Sequence, residues 1–239
     1  PVVPFGLAPL AQVAVDGVAR GGARSVVVNT HDLGGRLPGR VETGRGEGVS
    51  LSFGEEATLL GTGGGIRNAL AGASETCVVM NGDIAFDPDL ARAVALHERL
   101  GAYATMVVRE DPAAVQLGAI GVDAEGRVRT ILGDPHATDP ALSVRMFTGV
   151  HVLSPEAVAD LPEQGCVIRQ GYELWLARGE VLGAVTEARP WQDLGTLERY
   201  LAANLALADA EGSGSLVHAS ARCEAAVTRS VVGEGAVVE

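Results

Sequence analysis

Short apolar runs separated by amphipathic stretches constrain this chain more than any other feature. Ser25-Val26-Val27-Val28-Asn29 and Thr76-Cys77-Val78-Val79-Met80 are apolar without alternation, the pattern of strands covered on both faces, whereas Val49 to Phe53 alternates. Between such runs lie helical patterns, as from Ala8 to Arg20, where Gly21-Gly22 ends the periodicity. A strand that returns to its sheet through a helix is a crossover unit, and repeated units predict an α/β fold with a mixed, mainly parallel sheet between helical layers. Further strands are expected over Tyr103 to Arg109, Arg145 to Leu153 and Leu182 to Val185. A hairpin of Gly118 to Val122 and Val128 to Leu132 should turn at Asp123-Ala124-Glu125-Gly126.

Helix starts are signalled locally. Asp87-Pro88 offers a capping carboxylate followed by proline, and Ser154-Pro155-Glu156 offers a hydroxyl followed by proline. Helices are also predicted near Ile168 to Ala177 and from Leu197 to Leu207, while Gly133 to Ala141 has loop composition. After Ala210 the texture changes. Glu211-Gly212-Ser213-Gly214 is a linker, and Val231-Val232-Gly233 and Val237-Val238 then recur at a six-residue step. That period suits a β-solenoid, in which each short face sends an aliphatic residue inward; an ordinary β-hairpin tail is the alternative. The expected division is therefore residues 1–210 as the main domain and 214–239 as a partial β-helical tail.

Composition narrows the function. The 239 residues are 47% apolar and 20% charged, which excludes intrinsic disorder. Acids outnumber bases by 30 to 18, and a formal charge of −12 repels phosphate backbones and anionic lipid. Neither a nucleic-acid nor a membrane partner is expected. No apolar run approaches the roughly 20 residues of a membrane span and no signal peptide opens the chain, so a cytoplasmic location is expected. Cys77, Cys166 and Cys223 lie far apart without paired spacing, as reduced packing residues do, and a metal site made from them is not expected. All 18 basic residues are arginine, so chemistry needing a lysine amine has no donor here. The chain opens Pro1-Val2-Val3-Pro4 without methionine, and an earlier segment is expected to precede it.

Two features have the chemistry of a site. Leu60-Gly61-Thr62-Gly63-Gly64-Gly65 opens a helical pattern, and a glycine run there lets backbone N–H groups approach a nucleotide. It lacks the spacing of a dinucleotide fingerprint and the lysine of a P-loop, and a tight connection needing positive φ is the plain alternative. Asp83 follows a buried strand through Asn81-Gly82, where open α/β sheets place their ligands. Asp193 sits comparably after Trp191-Gln192 and before a helix. Two carboxylates from different strand ends suit Mg²⁺ when a substrate supplies phosphate oxygens, although each could instead be a helix cap. The five histidines share no spacing and read as surface or packing residues.

The ordered motifs Leu60-Gly61-Thr62-Gly63-Gly64, Asn81-Gly82-Asp83, Phe147-Thr148-Gly149-Val150 and Trp191-Gln192-Asp193-Leu194-Gly195-Thr196 resemble the sugar-phosphate nucleotidyltransferases across essentially the whole chain. The family's mannose-1-phosphate guanylyltransferase and N-acetylmuramate-1-phosphate uridylyltransferase groups are included in that likeness. The resemblance implies a Rossmann-like three-layer domain followed by the start of a left-handed β-helix, with an NTP and a sugar-1-phosphate as substrates. Unpaired strand edges and bare aliphatic faces in an incomplete solenoid favour association, so a homo-oligomer contacting through the region after Gly214 is expected. The resemblance also implies Asp83 and Asp193 as Mg²⁺ ligands, and Gly61 to Gly64 along the base and ribose, with Glu55 or Glu56 and Asn81 nearby. Thr148 and Gly149 would line the sugar pocket. Two departures stand out. The family's opening Gly-x-Gly-Thr-Arg loop and Pro-Lys-Pro find no match, since Pro1-Val2-Val3-Pro4 aligns after them, and the family's Glu-Lys-Pro is Gly133-Asp134-Pro135 here. Arg145 or Arg169 are candidates for the missing cation. An NDP-sugar-forming enzyme and a homologue that keeps the pocket without turnover both remain open.

Overall fold

The structure, a computed structural model, describes residues 3–31, 37–42, 48–210, 212 and 214–239. Pro1, Val2, Glu211 and Ser213 lie outside the described residues. A small ribbon of β1 (Pro4–Phe5) and β2 (Ala8–Pro9) precedes α1 (Leu10–Arg20). β3 (Ser25–Thr30) then pairs in parallel with β4 (Ser50–Glu55). Val27 and Val28 are only half-buried, so β3 is less enclosed than its unbroken apolar run predicts. α2 (Gly61–Ala69) leads to β5 (Cys77–Met80), followed by β6 (Ile84–Phe86) and α3 (Leu90–Leu100). The cap of α3 is Asp89, whose carboxylate accepts from Arg92 N at 3.0 Å. Asp87, the expected cap, instead pairs with Arg20 at 2.7 Å.

Next come β7 (Ala104–Arg109), a four-residue α4 (Ala114–Leu117), β8 (Ile120–Val122) and β9 (Val128–Ile131). The last two form the expected hairpin, with Asp123 Oδ1 accepting from Glu125 N and Arg127 N across the turn. A short α5 (Pro135–Thr138) interrupts the expected loop, and β10 (Ser143–Leu153) follows. α6 (Pro155–Asp160) is capped by Ser154 as its sequence predicts. A π-helical turn, Ile168–Tyr172, runs into α7 (Glu173–Ala177), then β11 (Leu182–Thr186), β12 (Trp191–Asp193) and α8 (Leu197–Ala210). The tail holds β13 (Leu216–Val217), β14 (Arg222–Cys223), β15 (Val231–Val232) and β16 (Val237–Val238).

The six-stranded sheet runs β11-β7-β10-β8-β9, with β5 also on β10. It is mixed but not mainly parallel. Only β11–β7 is parallel within it, because the eleven-residue β10 runs against β5, β7 and β8. β10 meets β8 at Ser143–Arg145 and β5 at Val150–Leu153, and the change of partners curls the sheet. Its pairing with β7 slips between Phe147 and Val150, a bulge that bends the strand at Thr148-Gly149.

Helices cover both faces. Ala104, Met106 and Val108 of β7 enter one core with Leu161, Tyr172 and Trp175. Val107 enters the other with Val150, Val152, Leu90 and Ala93. A third cluster, including Ala11, Val15 and Val26, joins α1 to β3. In the tail β13 pairs with β15 and β14 with β16, both in parallel and both with a partner fifteen residues on (216 to 231, 222 to 237). A hairpin would pair them antiparallel. Cys77 and Cys166 are half-buried and Cys223 is exposed, so the last is not a packing residue; all three are free thiols.

Candidate active site

The two expected metal ligands are brought together by a ribbon the sequence did not announce. β6 and β12 pair antiparallel with Asp193 opposite Ile84, and Leu194 N donates to Asp83 O at 3.3 Å. The backbones of Asp83 and Asp193 therefore lie on neighbouring strands at one end of the ribbon, one position out of register. Asp83 is exposed. Asp193 is held: its Oδ1 accepts from Gly195 N at 2.9 Å and its Oδ2 pairs with Arg199 Nη1 at 2.5 Å. Ile84 and Phe86 sink into the core and fix β6. β12 is fixed by Trp191, whose indole N–H donates to Thr148 O at 2.9 Å. Upstream, Glu187 accepts from the backbone N–H groups of Asp89, Ala188 and Arg189. Burial would raise its pKa, but these hydrogen bonds and Arg189 hold it below the usual range.

The β10 bulge joins this group. Thr148 is buried and its hydroxyl donates to Val107 O at 2.7 Å. Gly149 has φ +87°, and a Cβ there would lie 2.8 Å from Asn81 Nδ2. Asn81 N in turn donates to Gly149 O at 3.0 Å. Asn81, Asp83, Thr148, Gly149 and Asp193 thus form one neighbourhood, with Trp191 as its tie.

Gly61, Thr62, Gly63, Gly64, Glu55 and Glu56 form a second group. α2 starts at Gly61 itself and is pressed under residues 162–165. Gly63 N donates to Gly165 O, and Gly165 N to Leu60 O, each at 2.8 Å. A Cβ on Gly64 would lie 2.4 Å from Glu163 O, and one on Gly63 would lie 2.9 Å from Pro162 Cγ. Gly63 and Gly64 are buried, while Gly61 and Thr62 are exposed. Glu56 is buried, accepting from Asn29 Nδ2 at 2.6 Å and from Leu60 N at 3.1 Å; Glu55 ends β4 exposed.

Beside Trp191 opens a cleft of about 230 Å³ lined by Leu117, Gly118, Ile120, Leu132, Met146, Phe147, Ile168 and Trp191. The Arg109 guanidinium lies over the Trp191 ring, 5.5 Å from its centroid. Of the expected cations, Arg145 is committed to Glu110 at 3.1 Å and Thr186 at 3.2 Å, while Arg169 is exposed on the π-helical turn. No cluster of three or more His, Cys, Asp or Glu able to hold a metal occurs among the described residues. Asp83 and Asp193 are the carboxylates at this end of the ribbon, the donor type a hard divalent cation takes when phosphate and water supply its other oxygens. Arg199 was missed by sequence reasoning, although a cation in the first turn of a helix opposes the helix dipole and signals a carboxylate partner.

Curled mixed sheet, two helical layers and side ribbon together define a nucleotidyltransferase-type α/β fold. The crystal structure of HddC from Yersinia pseudotuberculosis superposes with a TM-score of 0.68 at 18% identity, over 87% of this chain and 89% of that one. The structure of HddC complexed with GMP-PN gives 0.67 at 19%, over the same shares. The family model described as nucleotidyl transferase matches residues 1–210, and the chain belongs to that family. Curated relatives include a UTP–glucose-1-phosphate uridylyltransferase of Synechocystis sp., 26% identical over 84% of this chain and 55% of its own length. A mannose-1-phosphate guanylyltransferase of Mycobacterium tuberculosis is 28% identical over 84% of this chain and 56% of its own length. The chain spans about half the length of these relatives. No helix of the described residues is long and apolar enough to cross a membrane.

Proposed function

We propose that this chain is the transferase part of an enzyme that joins an NTP to a sugar-1-phosphate, giving an NDP-sugar and pyrophosphate for cell-envelope or exopolysaccharide synthesis. The adjacency of Asp83 and Asp193 at the end of the β6–β12 ribbon, tied by Trp191 to the Thr148-Gly149 bulge, carries this reading. An oxygen of the sugar-1-phosphate forms a bond to the α-phosphorus of the NTP. The bond from that phosphorus to the oxygen bridging to the β-phosphorus breaks, and pyrophosphate leaves with that oxygen. No covalent enzyme intermediate is needed, so the protein's work is alignment and charge neutralisation. Mg²⁺ held by Asp83 and Asp193 would supply positive charge to the phosphates.

Thr148 and Gly149 serve the sugar, and Gly61, Thr62, Gly63 and Gly64, with Glu55, Glu56 and Asn81, serve the nucleotide. For Gly63 and Gly64 the support is indirect, since their burial under residues 162–165 leaves Gly61 and Thr62 as the accessible part. A cytoplasmic location follows from the NTP requirement. The fifteen-residue parallel register supports the tail as the start of a left-handed β-helix through which copies of the chain associate.

The test is pyrophosphate release by the natural full-length protein from a panel of NTPs and sugar-1-phosphates. Asp83→Asn and Asp193→Asn should each lower turnover about a hundredfold or more, the loss of several kcal/mol of transition-state stabilisation, with circular dichroism unchanged. Near-normal turnover of either variant at saturating Mg²⁺ overturns the assignment. Tight NDP-sugar binding without pyrophosphate release would favour the homologue that has lost turnover.

A further inference from the structure

We infer that the cleft beside Trp191 is an apolar subsite that selects, among sugar-1-phosphates, those carrying an N-acyl substituent. The inference rests on the transferase reading and adds the class of acceptor to it. Of the eight lining residues, Leu117, Ile120, Leu132, Met146, Phe147 and Ile168 present hydrocarbon, thioether or ring. The side-chain N–H in that lining belongs to Trp191 and is already given to Thr148 O. A hexose turning bare hydroxyls to such a wall would leave them without partners, whereas a methyl group gains by leaving water.

The cleft is built rather than incidental. Leu132 has φ +60°, a left-handed backbone that a bulky residue rarely adopts, and its N–H is fastened to Ala119 O at 2.9 Å. Opposite it Gly118 has φ +103°, and a Cβ there would lie 2.8 Å from Leu132 Cδ2. The glycine makes the room that the strained leucine fills. Strain of this kind persists where the surroundings over-determine a position, and it clusters at ligand clamps. At the rim, Leu117 is 62% exposed, so the apolar surface continues to the mouth.

Position and size identify the occupant. Phe147 directly precedes the Thr148-Gly149 bulge and Trp191 stands two residues before Asp193, so the cleft shares two of its walls with the strands that carry the proposed site. Its volume of about 230 Å³ is below the roughly 300–1,000 Å³ of a site that encloses a whole drug-sized ligand. One substituent and an edge of the ring fit it; a nucleotide does not.

The experiment compares kcat/KM of the natural full-length protein, with Mg²⁺ and its preferred NTP, for glucose-1-phosphate against N-acetylglucosamine-1-phosphate and for galactose-1-phosphate against N-acetylgalactosamine-1-phosphate. The acetylated partner should win by about tenfold or more in at least one pair, the scale that apolar contacts in a pocket provide. Leu132→Gly, which keeps the backbone conformation, should narrow that ratio at least about fivefold, and so should the rim variant Leu117→Ser, which leaves the core intact. Equal or better use of the hydroxyl sugars overturns the inference and leaves the transferase reading standing. So does a ratio that neither variant moves. Absence of turnover with every sugar-1-phosphate sinks the transferase reading, and the inference with it.

Discussion

His151 packs against Phe147 of the cleft wall, 1% exposed, with its Nδ1 3.0 Å from the Tyr172 hydroxyl and its ring 4.6 Å from that of Phe147. Burial pulls its pKa down to about 3 and pushes the Tyr172 phenol up. In the unfolded chain an imidazole titrates at about 6.5. Between those values the unfolded state carries a proton that the native state does not, so stability falls as pH is lowered from about 6.5 toward 3. One such group contributes about 1.4 kcal/mol per pH unit at most. His97, buried against Thr105 at 3.1 Å, shifts in the same direction for the same reason. His151→Phe should therefore flatten, without abolishing, the fall in urea-unfolding free energy between pH 6.5 and 4.5. An unchanged slope would mean that His151 protonates inside the native protein. The packing role of this histidine agrees with its lack of spacing to any other. Asp83 was legible because Asn81-Gly82 after an apolar run marks a strand end. Arg199 and Leu132 were not, since an ion pair and a positive φ are settled by neighbours distant in sequence.

Among the elements, α2 shows how a sequence signal can be right in place and incomplete in meaning. Within an ordinary helix, replacing glycine by alanine stabilises by about 1 kcal/mol. At Gly64 the sign should reverse, because the new methyl would meet Glu163 O at 2.4 Å and Leu60 Cβ at 2.9 Å. Gly64→Ala should destabilise by about 1–3 kcal/mol and lower Tm. Gly82→Ala, which meets nothing within 4 Å, is the control expected to leave Tm in place. If Gly64→Ala raises Tm, residues 162–165 do not press on α2 as described. Strands with strong local patterns, such as β7 and β10, were placed to within two residues. β6 and β12, at three residues each, were too short to show a period, although they carry the aspartates. The parallel expectation failed at β10, because a strand's own residues do not state which way its neighbours run.

At the scale of the molecule, the tail is where surface is left over. Val217 is 42% exposed and Val237 56% exposed, on strands of two residues whose outer edges face no other strand among the described residues. Such edges favour association. If the chain associates as proposed above, Val217→Glu combined with Val237→Glu should lower its sedimentation coefficient to that of a monomer, with residues 1–210 still folded. The same sedimentation coefficient in both proteins would rule out contact through the tail. At the β6–β12 ribbon, the two aspartates stand on unequal footings. Ile84 and Phe86 root the strand beside Asp83 in the core, whereas the strand of Asp193 is held by its pairing with β6, by the Trp191 indole on Thr148 O and by the contacts of Asp193 with Gly195 and Arg199. Trp191 is at once a wall of the cleft and the tie between β12 and Thr148, so one side chain serves as anchor for both the apolar pocket and the strand that carries Asp193.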